Sequence, residues 1–212
     1  MTVRDCLYTL VACSAVAGPA AAHPHVFVDA KAGFVMSEGE LTGLRITWTY
    51  DAFTTLTLFD ILDLDKDGDG LLDDADRAAI VAGETEWAED YKGDTYLAMS
   101  GVDVPLGRPR DGAAFMAEDR ITVSFELPLA APQSVDDTVV LRLYDPNYYY
   151  AYSVVGLEDM ALDDCEASVI PFVAGNATAE LQTKLALLSR EETPEQADVG
   201  RLFADQIVLT CA

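Results

Sequence analysis

Leu44, Ile46, Trp48 and Tyr50 stand at every second position, with Arg45, Thr47, Thr49 and Asp51 between them. This period of two is the tightest constraint in the chain. Successive side chains of a strand point to opposite faces, so one face here can be buried while the other stays in water. The preceding segment "HVFVDAKAGFVM", from His25, alternates in the same way, and "SEGE" lies between the two as a turn. The pair reads as a half-buried antiparallel hairpin.

The spacing then changes. "AFTTLTLFDILDLD" sets Leu58, Ile61 and Leu62 at helical intervals. "DADRAAIVAGETEWAEDY" sets Ala78, Val81 and Ala88 on one stripe, with Ile80 and Trp87 on the next. Two helices are expected, with a polar loop between them. Strand patterns return in "TYLAMSGVDVPL", "AAFMAEDRITVSFELPL", "TVVLRLYD", "YYYAYSVVGL" and "CEASVIPFV", punctuated by turn formers. "NATAELQTKLALLSR" is helical in spacing through Leu181, Leu185 and Leu188. Thr193, Pro194 and Gln196 have the form of a capped helix start, and "QIVLTC" ends the chain as a strand. The expected fold class is α+β: a mainly antiparallel β-sheet or sandwich with an inserted helix–calcium loop–helix and a C-terminal helical segment.

Residues 1–22 read as a signal peptide, with a short basic start at Arg4, an apolar stretch and a small-residue cleavage site after Ala22. The rival reading is a lipoprotein signal at Leu10–Cys13, with Cys13 as the anchor. Residues 23–212 would then form one periplasmic domain, with the helical insert at about 52–90. No later apolar run is long enough to span a membrane. The mature chain keeps Cys165 and Cys211, an even pair expected to form a disulfide in an oxidising compartment. Thirty-seven carboxylates against thirteen Lys and Arg give a net charge of -24, which excludes a phosphate-binding face and with it nucleic acid.

The sharpest motif is "DKDGDGLLDDAD", Asp65 to Asp76. It follows the twelve-residue EF-hand loop position by position. Asp65, Asp67 and Asp69 take positions 1, 3 and 5, and Gly70 takes the sharp turn at 6. Leu71 offers a carbonyl at 7, Asp73 can act through water at 9, and Asp76 closes the loop at 12. A hard cation the size of calcium takes six to eight oxygens, and this alternation supplies them from one short segment. Asp at position 12 instead of Glu shortens the last arm, so magnesium is admitted as well as calcium. The loop is also single, where calcium sensors carry pairs.

The chain's two histidines, His23 and His25, stand at the new N-terminus if cleavage follows Ala22. Alternation places them on the same side as Asp29. Nitrogen donors with one carboxylate suit copper, nickel, cobalt or zinc. Pro24 has no N–H, which excludes the square-planar arrangement that needs a deprotonated second amide. The competing reading is a hydrogen-bonded histidine at a strand start. No Ser–His–Asp or Cys–His set can be assembled, so no enzymatic activity is expected. "YDPNYYYAY", Tyr144 to Tyr152, packs five tyrosines around a turn. They either fill a hairpin's two faces or rim a ligand pocket.

Taken in order, "AHPHVFVDA", "GLRITWTYDAF", "DLDKDGDGLLDDAD", "LRLYDPNYYYAY" and "LFADQIVLTC" resemble an uncharacterised bacterial family, a domain of unknown function described as the periplasmic component of an ABC-type transport system. Its members are often found beside nickel/cobalt-exporter-type permeases. The resemblance implies a periplasmic location and a part in transition-metal handling next to a membrane metal permease. The functional expectation is an exported divalent-metal-binding accessory protein. The alternative is a structural or interaction module that calcium only rigidifies. A metal-dependent hydrolase ranks behind both, for want of a second ligand cluster.

Overall fold

The alternating segments form β1 (Val26–Ser37) and β2 (Glu40–Tyr50), paired antiparallel with Ala30 opposite Trp48 and Phe34 opposite Leu44. The computed structural model describes residues 23–189 and 191–211. The expected signal peptide and the Cys13 lipidation signal lie outside the described residues. Helices α1 (Ala52–Ile61) and α2 (Asp74–Thr85) follow, then β3 (Thr95–Met99), β4 (Val102–Asp103), β5 (Arg110–Ala117), β6 (Arg120–Ser134), β7 (Val139–Leu143), β8 (Tyr150–Leu157) and β9 (Cys165–Ile170). Helix α3 (Asn176–Leu185), a 3-10 helix (Val199–Phe203) and β10 (Gln206–Cys211) complete the order. Among the described residues no helix is long and apolar enough to cross a membrane.

The strands make two five-stranded sheets, ordered β5-β6-β2-β1-β8 and β4-β3-β7-β10-β9. Every pairing is antiparallel except β1 with β8, which runs parallel. Leu44, Ile46, Trp48 and Phe125 of the first sheet and Leu97, Leu141, Ile207 and Leu209 of the second enter one continuous hydrophobic core. Their alternation with exposed neighbours is the sequence pattern made physical. On the other face of the first sheet, Arg45 pairs with Glu126 and Arg120 with Asp29, both at 2.8 Å. Cys165 and Cys211 sit directly opposite each other on β9 and β10 and are joined by the disulfide.

Several expectations need correction. "AAFMAEDRITVSFELPL" is two strands, because Glu118 and Asp119 both adopt positive φ (50° and 59°) and turn the chain back into the β5–β6 hairpin. Helix α1 does not bury the expected Ile61, which is 70% exposed. Its inward anchor is Thr55, whose hydroxyl accepts the Ile121 N–H at 3.1 Å. Helix α2 stops at Thr85, so Trp87 and Ala88 lie beyond it, and Ala78 faces solvent. Its buried residues are Asp76 and Ile80, one turn apart. No helix starts at Thr193; the helical turn begins at Val199, with Asp198 at a left-handed φ of 57° as its cap.

Helix α2 rests on β5 through a close approach that only glycine permits. A Cβ on Gly112 would stand 2.6 Å from the Val81 side chain. Gly112→Ala is therefore expected to lose about 1–3 kcal/mol by overpacking, measured by urea denaturation. A loss below the error of that measurement would mean that the helix shifts freely on the sheet.

Candidate metal sites

The segment between α1 and α2 is held at both ends by apolar side chains. Leu64 and Leu72 are buried in the main core, so the polar residues between them are presented as a loop of fixed span. Within it Gly68 and Gly70 have φ of 73° and 80°, a region that residues with a Cβ rarely adopt. The Gly70 N–H turns inward and donates to both carboxylate oxygens of Asp65 at 3.1 Å. The Leu71 N–H donates to Asp69 at 2.8 Å. These bonds draw the acidic side chains towards the middle of the loop. One carboxylate oxygen from each of Asp65, Asp67 and Asp69 lies within 4.8 Å of the others.

The remaining residues of the expected set do different work. Asp73 is the N-cap of α2 and accepts the Asp76 N–H at 2.8 Å, while Asp76 returns the bond by accepting the Asp73 N–H at 3.1 Å. This reciprocal capping box satisfies two donors that a helix start leaves open. The same Asp76 oxygen accepts the Asp65 N–H at 3.3 Å, which ties position 1 of the loop to position 12. Leu71 is exposed. Three like charges this close repel one another in the absence of a counter-ion. A divalent cation at their centre would convert that repulsion into attraction.

The histidines occupy the approach to β1. His23 is 6% exposed, and its ring centre lies 4.9 Å from that of His25. Among the described residues, His23 Nδ1 is buried without a hydrogen-bond partner, an arrangement that costs free energy unless something else binds there. The third ring is Tyr149, 4.6 Å from His25 and 6.0 Å from His23. It arrives through the parallel pairing of β1 with β8, and its carbonyl accepts the His25 N–H at 2.8 Å. Asp29, the expected carboxylate partner, instead receives Arg120 at 2.8 Å. The set His23, His25 and Asp29 is therefore not a convergent group. Among the described residues, only Asp65, Asp67 and Asp69 bring three such donor atoms together.

The profile of a family described as "Protein of unknown function (DUF1007)" matches residues 8–211. The chain belongs to the DUF1007 family. It is 26% identical over 198 residues to an "Uncharacterized protein" of Haemophilus influenzae, an alignment covering 90% of this chain and 91% of that one. No solved structure is significantly similar. The resemblance drawn from the sequence thus holds as membership of a family of unknown function. Neither description mentions transport, nickel or cobalt.

This DUF1007 chain also concentrates acids and tyrosines from separate segments, which no single motif announces. Tyr152 donates to the buried Asp94 at 2.9 Å, and Tyr91 lies close to the same carboxyl. Asp145 lines a recess of about 380 Å³ together with Asp94, and accepts the N–H groups of Asn147, Tyr149 and Tyr150. Burial, and then the charge of Asp145, push the Asp94 carboxyl up to about 7. The five tyrosines of the turn divide among different tasks. Tyr144 stacks on Tyr96 at 4.0 Å, Tyr148 on Phe203 at 4.5 Å, Tyr149 stands at the histidines, and Tyr150 packs beside the buried Tyr152 at 6.3 Å.

Proposed function

We propose that this protein is an exported, periplasmic accessory protein that binds a divalent cation in an EF-hand-like loop and serves a membrane metal permease. Calcium is the expected ion, with magnesium admitted by the short arm of Asp76. The observation that carries the reading is the convergence of Asp65, Asp67 and Asp69 around the positive-φ turn at Gly70, in a loop whose ends are joined by Asp76. Oxygen-only donors in that arrangement match a hard cation. The Cys165–Cys211 disulfide is in keeping with an oxidising compartment.

Extracellular calcium modules bind at about 10⁻⁴–10⁻³ M. At 10 mM calcium and a Kd near 0.1 mM, binding to the folded state adds about 2.7 kcal/mol. For a chain of this size that raises Tm by roughly 5–10 °C. The test is a thermal melt of the chelator-stripped protein with and without calcium, repeated on Asp65→Ala/Asp69→Ala. Equal melting temperatures with and without calcium, in a protein that gives no calorimetric heat with the ion, would refute the site.

A second reading adds a softer ion at the N-terminus, favoured by the buried, unpartnered Nδ1 of His23 beside the His25 ring. Copper, nickel, cobalt and zinc accept such nitrogens. Tyr149 replaces Asp29 as the neighbouring group. Stoichiometric binding of one of these ions that disappears in His23→Ala/His25→Ala is the expected result, read by calorimetry on the N-terminally processed protein. Binding that survives both substitutions would place the ion elsewhere.

A further inference from the structure

The second sheet carries an unusual row on its outer face. Tyr96 of β3 lies opposite Arg142 of β7, and Gln206 of β10 lies opposite Ile170 of β9. The pairing of Ile207 with Leu141 places Arg142 and Gln206 side by side in this row, and Arg142 donates to the Gln206 amide oxygen at 2.8 Å. Arg201, from the 3-10 helix, closes over the same spot. Arg142, Gln206 and Arg201 line a depression of about 410 Å³ together with Ile170, Val173 and Leu202, which are exposed by 51%, 82% and 43%.

The charge pattern here runs against the rest of the molecule. In a chain of net charge -24, Arg45, Arg110 and Arg120 each face a carboxylate across the first sheet. Arg142 has no ion pair among the described residues, and its hydrogen-bond partner is a neutral amide. Burial, followed by the nearby positive charge of Arg201, lowers its pKa from the ordinary guanidinium value. Asp198 reaches Arg201 only at 4.0 Å, and Asp205 spends both oxygens on the N–H groups of Val154 and Phe172. Two guanidinium groups that repel each other, one without an ion pair among the described residues and the other held only by a long one, form a site prepared for an external anion. The aliphatic lips add a preference for an apolar group beside that anion.

We propose that the depression between Arg142, Arg201 and Gln206 binds the carboxylate of an aliphatic acid, with the alkyl group seated against Ile170, Val173 and Leu202. The same chemistry is offered by a free fatty acid and by the C-terminal carboxylate of a peptide ending in an aliphatic residue. This site is independent of the metal loop.

Calorimetry on the full mature chain separates the sources, using octanoate, a short peptide ending in free leucine, and that peptide amidated. At least one of the two free carboxylates is expected to bind, more weakly as salt is raised. Octanoate alone would identify a free acid as the ligand. The free-leucine peptide binding while its amide does not would identify a chain terminus. Arg142→Gln/Arg201→Gln is expected to lower affinity at least tenfold with its melting temperature preserved. Lys92→Gln, which removes a positive charge outside the depression, should leave affinity unchanged. Absence of heat with both free carboxylates, or equal affinity in the double arginine variant, would overturn the proposal.

Discussion

Cys165→Ser/Cys211→Ser is expected to lose about 4 kcal/mol of stability, the loop-closure value for a cross-link spanning some 46 residues. The figure is an upper one, since a compact denatured chain has less entropy to lose. The location of the bond gives it further consequence. Strand β10 is the inner strand between β7 and β9, and its residues Ile207 and Leu209 are fully buried in the main core. Strand β9 pairs with β10 along its whole length and is the edge of its sheet. Without the cross-link, β10 is held by its ladder, by those two side chains and by the Arg142–Gln206 hydrogen bond, and fraying there exposes the core. Urea denaturation of the oxidised, reduced and double-serine proteins measures the effect. The reduced and serine forms should agree with each other and fall below the oxidised form. Identical midpoints for all three would mean that the cross-link contributes nothing beyond what the strands already provide.

What could be read from the sequence, and what could not, divides by the range of the interaction. Strands β1 and β2 were legible because one buried and one solvated face leave a period of two in each, joined by a short turn at Glu38–Gly39. The clustering of Asp65, Asp67 and Asp69 was legible because the three stand at alternate positions of one short loop. The end of α2 was not, since Trp87 continues the helical spacing and yet packs outside the helix against Tyr91 and Phe125. Thr193 and Gln196 had the chemistry of a helix cap, but the residues that bury a helical turn, Val199 and Phe203, come later and pack with Leu185. The partners of the histidines were hidden for a different reason. Parallel pairing of β1 with β8 joins residues more than 120 positions apart, and nothing local to either strand announces it. The same non-local pairing brings Tyr149 to His25, while the link from β2 to β6 brings Arg120 to Asp29.

Asp94→Asn is expected to stabilise the protein most at neutral and alkaline pH, by an amount that shrinks as pH falls and fades below about pH 4. Asp94 is 4% exposed and lies in contact with Tyr152, Tyr91 and, more distantly, the carboxylate of Asp145. Its carboxyl titrates near 7 in the folded protein, against 3.8 as its ordinary value. The folded state therefore holds a proton that the unfolded chain has already released, and stability falls as pH rises between those two values. The loss amounts to about 4 kcal/mol at most, since each unit of difference is worth about 1.4 kcal/mol. Asparagine resembles the protonated carboxyl in shape and can still accept from the tyrosine hydroxyls, so it removes the pH-dependent part and keeps the contacts. Glu84, also pushed up by burial, changes stability in the same direction but is common to both proteins and cancels in their difference. Urea denaturation should thus give Asp94→Asn a gain of about 1.5 kcal/mol at pH 5 that grows to about 4 kcal/mol at pH 8. A difference that stays constant across that range would mean that Asp94 is ionised in the folded protein throughout, and that its neighbours stabilise the charge rather than the proton.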